Sequence, residues 1–142
     1  MTMLSGNAVY EFALARSAFL DAHSEVEKAV NDRLKRLKLV PKQLLGQNLE
    51  TLGKAEPAPQ LSKAAKAKID ATIPKIKELQ ETRHAVVHGK MASIQFGTEQ
   101  CAAFANPQRA SDYGTVAILL TQDQFAAITK ALIGFAKVIK EA

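Results

Sequence analysis

The sequence predicts a mainly α-helical bundle with a small antiparallel β-hairpin or sheet before its C-terminal helix. Apolar residues recur at helical spacing from Leu4 to Leu39 and again from Phe125 to Ile139. Alternating and β-branched residues occupy much of the stretch from Ala92 to Leu120. The chain has 142 residues, of which 47 % are hydrophobic. This length and composition fit one domain spanning 1–142.

Two helices are predicted in the first third of the chain. The first spans 4–39, and Pro41 ends it because a proline disfavours helical geometry at the residue before it. The second spans 41–53 and stops at Gly53, which suits a left-handed cap. The Pro-containing stretch 56–59 is then a stiff connector. The apolar stripe of the first helix consists of Phe12, Phe19, Val26, Val30, Leu34 and Leu37.

A third helical segment spans 62–89 and ends at Gly89. Pro74 interrupts it, either by kinking one helix or by beginning a new one. The strand-rich segment 92–120 follows, and its residues predict short strands over Ala92–Phe96, Gln100–Ala105 and Thr115–Leu120. Turns are predicted at Gly97, Asn106-Pro107 and Asp112-Tyr113-Gly114. Pairing of these strands within a protomer or between two protomers is open. The last helix spans 122–141, and Thr121 to Gln124 have the residue types of a capping box.

The composition of the chain argues against disulfide-stabilised, zinc-binding and membrane-spanning proteins. One cysteine, Cys101, excludes a disulfide framework, and three histidines leave too few ligands for zinc, so we expect no metal and no cofactor. No apolar run is long enough to span a membrane. We expect no signal peptide, because residues 1–6 show no basic region followed by an apolar run. We therefore expect a cytoplasmic protein that does not bind a membrane. The net charge of +5 makes a polyanionic partner reasonable.

Two of the three histidines lie beside an arginine near the end of the third helical segment. At about 100° per residue, His84 and His88 are about 40° apart, and Arg83 falls within the arc that holds Ile69, Ile73 and Val87. A guanidinium on an apolar face must find a carboxylate, a phosphate or carbonyl oxygens. An arginine that stabilises phosphate charge beside a histidine that moves a proton could act on a phosphodiester.

The same residues also have a structural explanation. An arginine in an apolar arc is often ion-paired, or its head group reaches solvent. Histidines four residues apart are often surface residues or helix caps. Two histidines are also too few for a metal site, because a third ligand, His23, would have to come from the first helix. On physical grounds alone the structural explanation is the commoner one.

The segment from Arg83 to Gly89 resembles the signature of the HEPN superfamily, the "higher eukaryotes and prokaryotes nucleotide-binding" helical domains. That signature is an arginine, a polar residue directly after it, and a histidine near the helix end, often followed by glycine. Arg83, His84, His88 and Gly89 match it, with four residues between Arg83 and His88. The resemblance covers roughly 4–91 and implies a HEPN-like helical bundle. The strand-rich segment is then an elaboration before the last helix.

Many HEPN proteins are metal-independent endoribonucleases of toxin–antitoxin, phage-defence or RNA-processing systems, and two protomers form one composite site. The resemblance implies that His88 acts as acid or base on the ribose 2′-hydroxyl and that Arg83 binds the phosphate. His84 would position groups or share proton transfer. The products would be a 2′,3′-cyclic phosphate and a 5′-hydroxyl. Members silenced by nucleotidyl transfer often carry Tyr two residues after the histidine. Lys90 stands there, so regulation through that Tyr is not supported.

Lysines around the motif, including Lys77 and Lys90, are candidates for contacts with RNA phosphates, although a lysine-rich helix face is equally often only solvated. The expected partners are RNA, a second copy of the chain, and an antitoxin or regulatory protein. The alternative is a non-catalytic HEPN-like module that binds a nucleotide or a partner protein. A DNA-binding regulator is less well supported, because no helix-turn-helix pattern with base-reading residues is present.

Overall fold

The computed structural model describes residues 2–3, 6–105, 113–114 and 116–142. Within them it contains five helices and four strands, and it confirms the prediction of a mainly helical chain with a small antiparallel sheet before the last helix. The elements in chain order are β1 (Thr2–Met3), α1 (Gly6–Arg36), α2 (Leu45–Lys54), α3 (Lys63–Glu78), α4 (Gln80–His88), β2 (Met91–Phe96), β3 (Glu99–Ala105), β4 (Ala117–Thr121) and α5 (Gln122–Glu141).

The chain forms two compact units. The first unit consists of residues 1–21 and 80–129, and the second unit consists of residues 22–79 and 130–142. Helices α1 and α5 each contribute residues to both units. The division therefore does not fall at a flexible linker, and the organisation as a single domain stays a prediction.

The first unit contains an antiparallel sheet in the order β1-β2-β3-β4. Strands β2 and β3 form a hairpin in which Ser93 is opposite Ala102, and a left-handed Gly97 lies in the turn (φ 63°) as expected. Strand β4 continues the sheet with Leu120 opposite Ala102. The three predicted strands are confirmed, whereas β1 was not predicted because two residues carry no periodic signal. The predicted turn at Asn106-Pro107, Asp112 and the predicted strand start at Thr115 lie outside the described residues.

Four phenylalanines form the core of the first unit. The ring of Phe125 on α5 lies 6.5 Å from Phe12 and 6.3 Å from Phe19, both on α1, and 5.8 Å from Phe104 on β3, between ring centroids. All four are at most 1 % exposed. Tilted and edge-on arrangements of this kind are the ones that aromatic quadrupoles favour. The helical spacing of Phe12 and Phe19 and the position of Phe125 correctly identified buried faces.

Helix α5 begins with the predicted capping box. The Gln124 amide donates to Thr121 Oγ1 at 3.1 Å, and the Thr121 amide donates to Gln124 Oε1 at 2.9 Å. Two backbone donors at the helix start are thereby satisfied by side chains. These two reciprocal hydrogen bonds lie where β4 ends at Thr121 and α5 begins at Gln122.

The second unit packs the later half of α1 with α2, α3 and the end of α5. Its large buried apolar residues are Val26, Val30, Leu34, Leu45, Leu49, Leu52, Leu61, Ile69, Ile73, Ile76, Leu132 and Ile139. Arg33 is buried among them and is 2 % exposed. Its Nε and Nη2 donate to the Ile139 carbonyl at 3.1 and 2.9 Å, and Nη2 also donates to the Ala142 carbonyl. Burial and then the charge of Arg36 lower the pKa of Arg33.

Two predicted helix boundaries in the second unit are corrected. Helix α1 ends at Arg36, because Lys38 adopts a left-handed conformation (φ 60°) and the Leu39 amide donates to the Leu34 carbonyl at 2.9 Å. The helix therefore ends before Pro41 can act on it. Helix α2 begins at Leu45 instead of Pro41, since the Asn48 side chain accepts from the Lys42 amide and holds the preceding residues outside the helix.

The third helical segment is interrupted at Leu79 and not at Pro74. Pro74 lies inside α3, which continues to Glu78. The Leu79 amide donates to the Ile76 and Lys77 carbonyls, which closes the last turn of α3, and α4 begins at Gln80. Pro74 therefore does not begin a new helix, whereas a kink at Pro74 stays a prediction.

Gly89 ends α4 by close contact with β3. A Cβ at this position would lie 2.6 Å from the Ala105 carbonyl oxygen and would also collide with the Ala85 carbonyl. The Gly89 amide donates to that Ala85 carbonyl at 2.7 Å. The position is therefore restricted to glycine by sterics, as its place at the end of the segment suggested.

We expect Gly89→Ala to lower the free energy of unfolding by about 1–3 kcal/mol, because backbone atoms would have to move to admit the methyl group. Gly134→Ala is the control. Nothing lies within 4 Å of a Cβ there, and the residue is inside a helix, so the change should stabilise the protein by up to about 1 kcal/mol. Urea unfolding measures both. Equal effects of the two substitutions would contradict the close contact at Gly89.

Candidate functional site

The candidate site lies on the last two turns of α4, in the first unit. The rings of His84 and His88, one helical turn apart, contact each other in a tilted arrangement, with centroids 4.7 Å apart and an interplanar angle of 53°. His84 is half-buried, whereas His88 is exposed at the last residue of the helix. Arg83, next to His84, is also half-buried. The helix thus presents two imidazoles and a guanidinium near its carboxyl end.

Arg83 does not occupy the centre of the buried face that the sequence suggested. The buried residues of α4 are Ala85 and Val86. At about 100° per residue, Arg83 is about 110° from the direction midway between them. The prediction that Arg83 lies within the apolar arc was wrong, because that arc was drawn partly from residues such as Ile73. These residues belong to a separate helix, α3. Arg83 therefore lies at the border of the buried face, from which a long side chain can reach solvent.

The buried nitrogen of His84 gives this site a specific polar feature. His84 Nε2 is enclosed and has no hydrogen-bond partner among the described residues. A buried polar atom without a partner costs about 1–3 kcal/mol, so such an atom calls for an explanation. Gln80 Nε2 is also enclosed and has no hydrogen-bond partner among the described residues. Gln80 precedes His84 by one helical turn. Gln80, His84 and His88 therefore form a polar stripe along α4.

Arg16 of α1 supports the carboxyl end of α4, and the sequence analysis did not identify it. Its Nε donates to the Val86 carbonyl at 3.0 Å, and its Nη2 donates to the Val87 carbonyl at 3.3 Å. These carbonyls belong to the last turn of the helix, where no amide is available within the helix. The guanidinium also brings a permanent positive charge to the negative end of the helix dipole. Arg16 thus places a cation on the carbonyls of the two residues that directly precede His88.

A signal for Arg16 was present in the sequence. The buried stripe of α1 follows a spacing of alternating four and three residues, and Arg16, His23 and Arg33 are its polar members. The structure gives each of them a partner. His23 is buried, and its Nδ1 lies 3.0 Å from Glu27 Oε1, within the second unit. His23 therefore pairs with a carboxylate of its own helix.

The two lysines predicted to contact RNA are placed differently from one another. Lys90 is exposed and directly follows Gly89, at the end of the motif. Lys77 is exposed on α3 and belongs to the second unit. The structure therefore places Lys90 beside the motif in sequence and in the same unit, whereas it does not assign Lys77 to the motif's unit.

The described residues contain no cluster of three or more His, Cys, Asp or Glu side chains placed to hold a metal ion. Cys101 is free and buried on β3. None of the helices in the described part of the chain has the length and apolar character that crossing a membrane requires.

Comparisons with protein-family models, with curated proteins and with solved structures give no match for this chain. The candidate site therefore rests on its residues and their geometry.

Replacing Arg16 tests its support of the motif helix. Arg16→Ala removes two donors from the end of α4, so we expect backbone amides near Val87 and Gly89 to exchange with solvent roughly tenfold faster or more. Arg36→Ala is the matched control, because Arg36 donates in the same way to the Lys140 carbonyl of α5, in the second unit. Hydrogen exchange followed by mass spectrometry or NMR reports both. Unchanged exchange at the end of α4 would refute the role given to Arg16.

Proposed function

We propose that this protein is a metal-independent endoribonuclease of the HEPN type. The observation that carries the proposal is the end of α4, where the neighbouring rings of His84 and His88 follow Arg83 on the same helix. Imidazoles, which can accept and donate a proton, are thereby combined with a guanidinium, which can bind a phosphate through two N–H groups. This combination suits a reaction in which a hydroxyl is deprotonated while negative charge develops on a phosphate.

The proposed reaction is an internal transesterification of RNA. His88 removes the proton from a ribose 2′-hydroxyl, and the resulting oxygen attacks the adjacent phosphorus. Arg83 donates to the non-bridging oxygens, whose negative charge increases in the transition state. The bond to the 5′-oxygen of the next nucleotide breaks, and that oxygen takes up a proton from an imidazolium, supplied by His84 or by His88 of a second copy. The products are a 2′,3′-cyclic phosphate and a 5′-hydroxyl.

The exposure of the site supports this assignment of roles. His88 is exposed and free to meet a polymer, whereas His84 is half-buried and suited to orienting groups or relaying a proton. Arg16 acts as a positioning residue, because it holds the carbonyls that precede His88 and has no assigned contact with substrate. Lys90 and Lys77 would contribute positive charge along the phosphate backbone, in keeping with the net charge of +5.

The partners proposed on the same basis are RNA, a second copy of the chain that completes a composite site, and an antitoxin or regulatory protein. Such an enzyme would serve as a toxin or as a component of a defence or RNA-processing system, in the cytoplasm. No cofactor is part of the proposed chemistry.

One observation favours a second candidate, a HEPN-like module that binds a nucleotide or a partner protein without catalysis. His84 Nε2 is enclosed within the protein, so it cannot reach a phosphodiester unless its surroundings rearrange. An enclosed, unsatisfied donor or acceptor of this kind is well suited to a bound group that enters the site and stays there.

Substitution of the two central residues tests catalysis. We expect Arg83→Ala and His88→Ala each to lower the rate of RNA cleavage roughly 100-fold or more, because each removes a group that acts in the transition state. Both side chains are at least partly exposed, so circular dichroism should show unchanged helix content. Lys54→Ala, an exposed residue of α2, serves as the control. The assay uses purified protein and total RNA in EDTA.

The two candidates give different results in this assay. Fragments ending in a cyclic phosphate, absent from both variants and present with the Lys54 control, support the endoribonuclease. RNA that remains intact at high protein concentration favours the binding module. Cleavage at the wild-type rate in both variants would show that the activity arises from other residues or from a contaminating nuclease.

A further inference from the structure

The first turns of α1 carry a group of apolar side chains that the fold leaves exposed. Val9 is 39 % exposed, Tyr10 is 65 % exposed and Leu14 is 53 % exposed, and Ala13 beside them is exposed too. Residues three or four apart on a helix are neighbours, so these four side chains form one surface, which we call the α1 patch. Single exposed apolar residues are ordinary, whereas a contiguous group of them indicates a binding surface.

Arg16 shows that one side of the α1 patch faces the carboxyl end of α4. At about 100° per residue, Val9, Ala13 and Arg16 lie within an arc of about 60° around α1. Arg16 donates to two carbonyls in the last turn of α4, so this arc faces the helix end that carries His88. Val9 and Ala13 are exposed although they lie on this side, so α4 does not cover them. The α1 patch and the candidate site therefore border the same stretch of surface in the first unit.

The pairing of β1 with β2 independently brings the start of α1 to the same place. Met3 is opposite Ile94 in this antiparallel pair. Helix α1 begins at Gly6, three residues after Met3, and β2 begins at Met91, three residues before Ile94. Because the two strands run in opposite directions, the start of α1 and the start of β2 lie at the same end of the pair. Met91 follows His88 by three residues, so the first turns of α1 begin near the end of α4.

We propose that the ring of Tyr10 stacks on a nucleobase of the RNA strand whose phosphates are bound at the end of α4. Sites for single-stranded nucleic acid combine cations that contact phosphates with aromatic side chains on which bases stack. The end of α4 supplies the cations, Arg83 and Lys90, and the α1 patch supplies the ring. The stacking rests on the proposed function, since the strand is the proposed substrate, and it restricts that substrate to RNA whose bases are unpaired.

The size and the charge of the α1 patch favour a nucleobase over a protein. A stable protein interface uses about 20–30 residues on each side, whereas the patch has four. Between residues 6 and 16 the sequence holds one carboxylate, Glu11. It lies about 140° around the helix from Arg16, which marks the side that faces α4. Glu11 therefore points away from the end of α4, where a negative charge would repel the phosphates of the strand.

Tyrosine fluorescence tests the stacking directly, because the chain has two tyrosines and no tryptophan. Tyr113→Phe leaves Tyr10 as the only emitting residue, and Tyr10→Phe leaves Tyr113 in that role. The probes are 2′-O-methyl oligonucleotides, which have no 2′-hydroxyl to attack and therefore stay intact while binding is measured. Three probes are compared, namely a single strand, the same strand in a duplex, and an abasic strand of the same length.

We expect the single strand to quench the emission of Tyr10 in the Tyr113→Phe variant, whereas the duplex and the abasic strand, which offer no free base, should not quench it. In the Tyr10→Phe variant the emission of Tyr113 should stay constant. The affinity of that variant should equal that of the wild type, because a phenylalanine ring also stacks on a base.

Removal of the ring should weaken binding. We expect Tyr10→Ala to bind the single strand roughly fivefold more weakly or less, measured by fluorescence anisotropy of a labelled probe. Tyr113→Ala is the matched control, because Tyr113 is 100 % exposed and lies outside the α1 patch, and it should bind as the wild type does. Tyr10 is exposed, so circular dichroism should show unchanged helix content in Tyr10→Ala.

Three results would overturn the stacking. Equal binding by Tyr10→Ala and the wild type shows that the ring does not contact the strand. Quenching by the abasic strand shows that the change in emission does not come from a base. A wild-type protein that binds none of the probes leaves the α1 patch to a partner of another class.

The outcomes are separate from those of the cleavage assay. Quenching of Tyr10 by the single strand, in a protein that leaves total RNA intact, supports the stacking and contradicts the endoribonuclease. Cleavage of RNA by a protein whose binding does not depend on Tyr10 supports the endoribonuclease and contradicts the stacking.

Discussion

Cations in the buried stripe of α1 must find oxygen acceptors, and this requirement organises both units of the structure. A guanidinium keeps its charge when it is buried, so Arg16 and Arg33 require hydrogen-bond acceptors. Each finds them at the carboxyl end of another helix, Arg16 at Val86 and Val87 of α4, and Arg33 at Ile139 of α5. Helix ends offer carbonyls without partners and a partial negative charge, so cation and helix end satisfy one another. The same long helix thereby supplies hydrogen-bond donors to the carboxyl ends of two other helices.

This constraint has its largest consequence at the candidate site. Helix α4 has nine residues, a length at which an isolated helix is marginal in water. Its catalytic candidates lie at the end that would fray first. Arg16 holds that end from α1, and Gly89 lies against the Ala105 carbonyl of β3. The position of His88 thus depends on tertiary contacts and not on helix propensity, so support from α1 is part of the site.

Much of the fold was predictable because it is encoded by local patterns. The stripe of α1, the strands β2 to β4 and the capping box at Thr121 were each predicted from spacing or residue type, and the structure confirms them. The break at Leu79 was not predictable. Helix α3 contains Pro74 without ending there, and it ends through backbone hydrogen bonds of Leu79 that no residue type predicts. Because of this break, α4 does not continue the apolar face of α3, so the predicted position of Arg83 on that face was wrong. The place of Arg16 in the stripe of α1 was visible in the sequence, but its role was not, because its acceptors are backbone carbonyls about 70 residues away.

The central claim is that the end of α4 directs a ribose 2′-hydroxyl onto the neighbouring phosphate, and it is tested most directly by removing that hydroxyl. A short RNA is first mapped to find its cleaved bond, and a second oligonucleotide is then made with a single 2′-deoxynucleotide on the 5′ side of that bond. Because no other group in the proposed reaction attacks the phosphorus, cleavage at that bond should cease while cleavage at other sites continues. Cleavage that persists at the 2′-deoxy position would contradict the account, since it would require water or a protein side chain as the nucleophile.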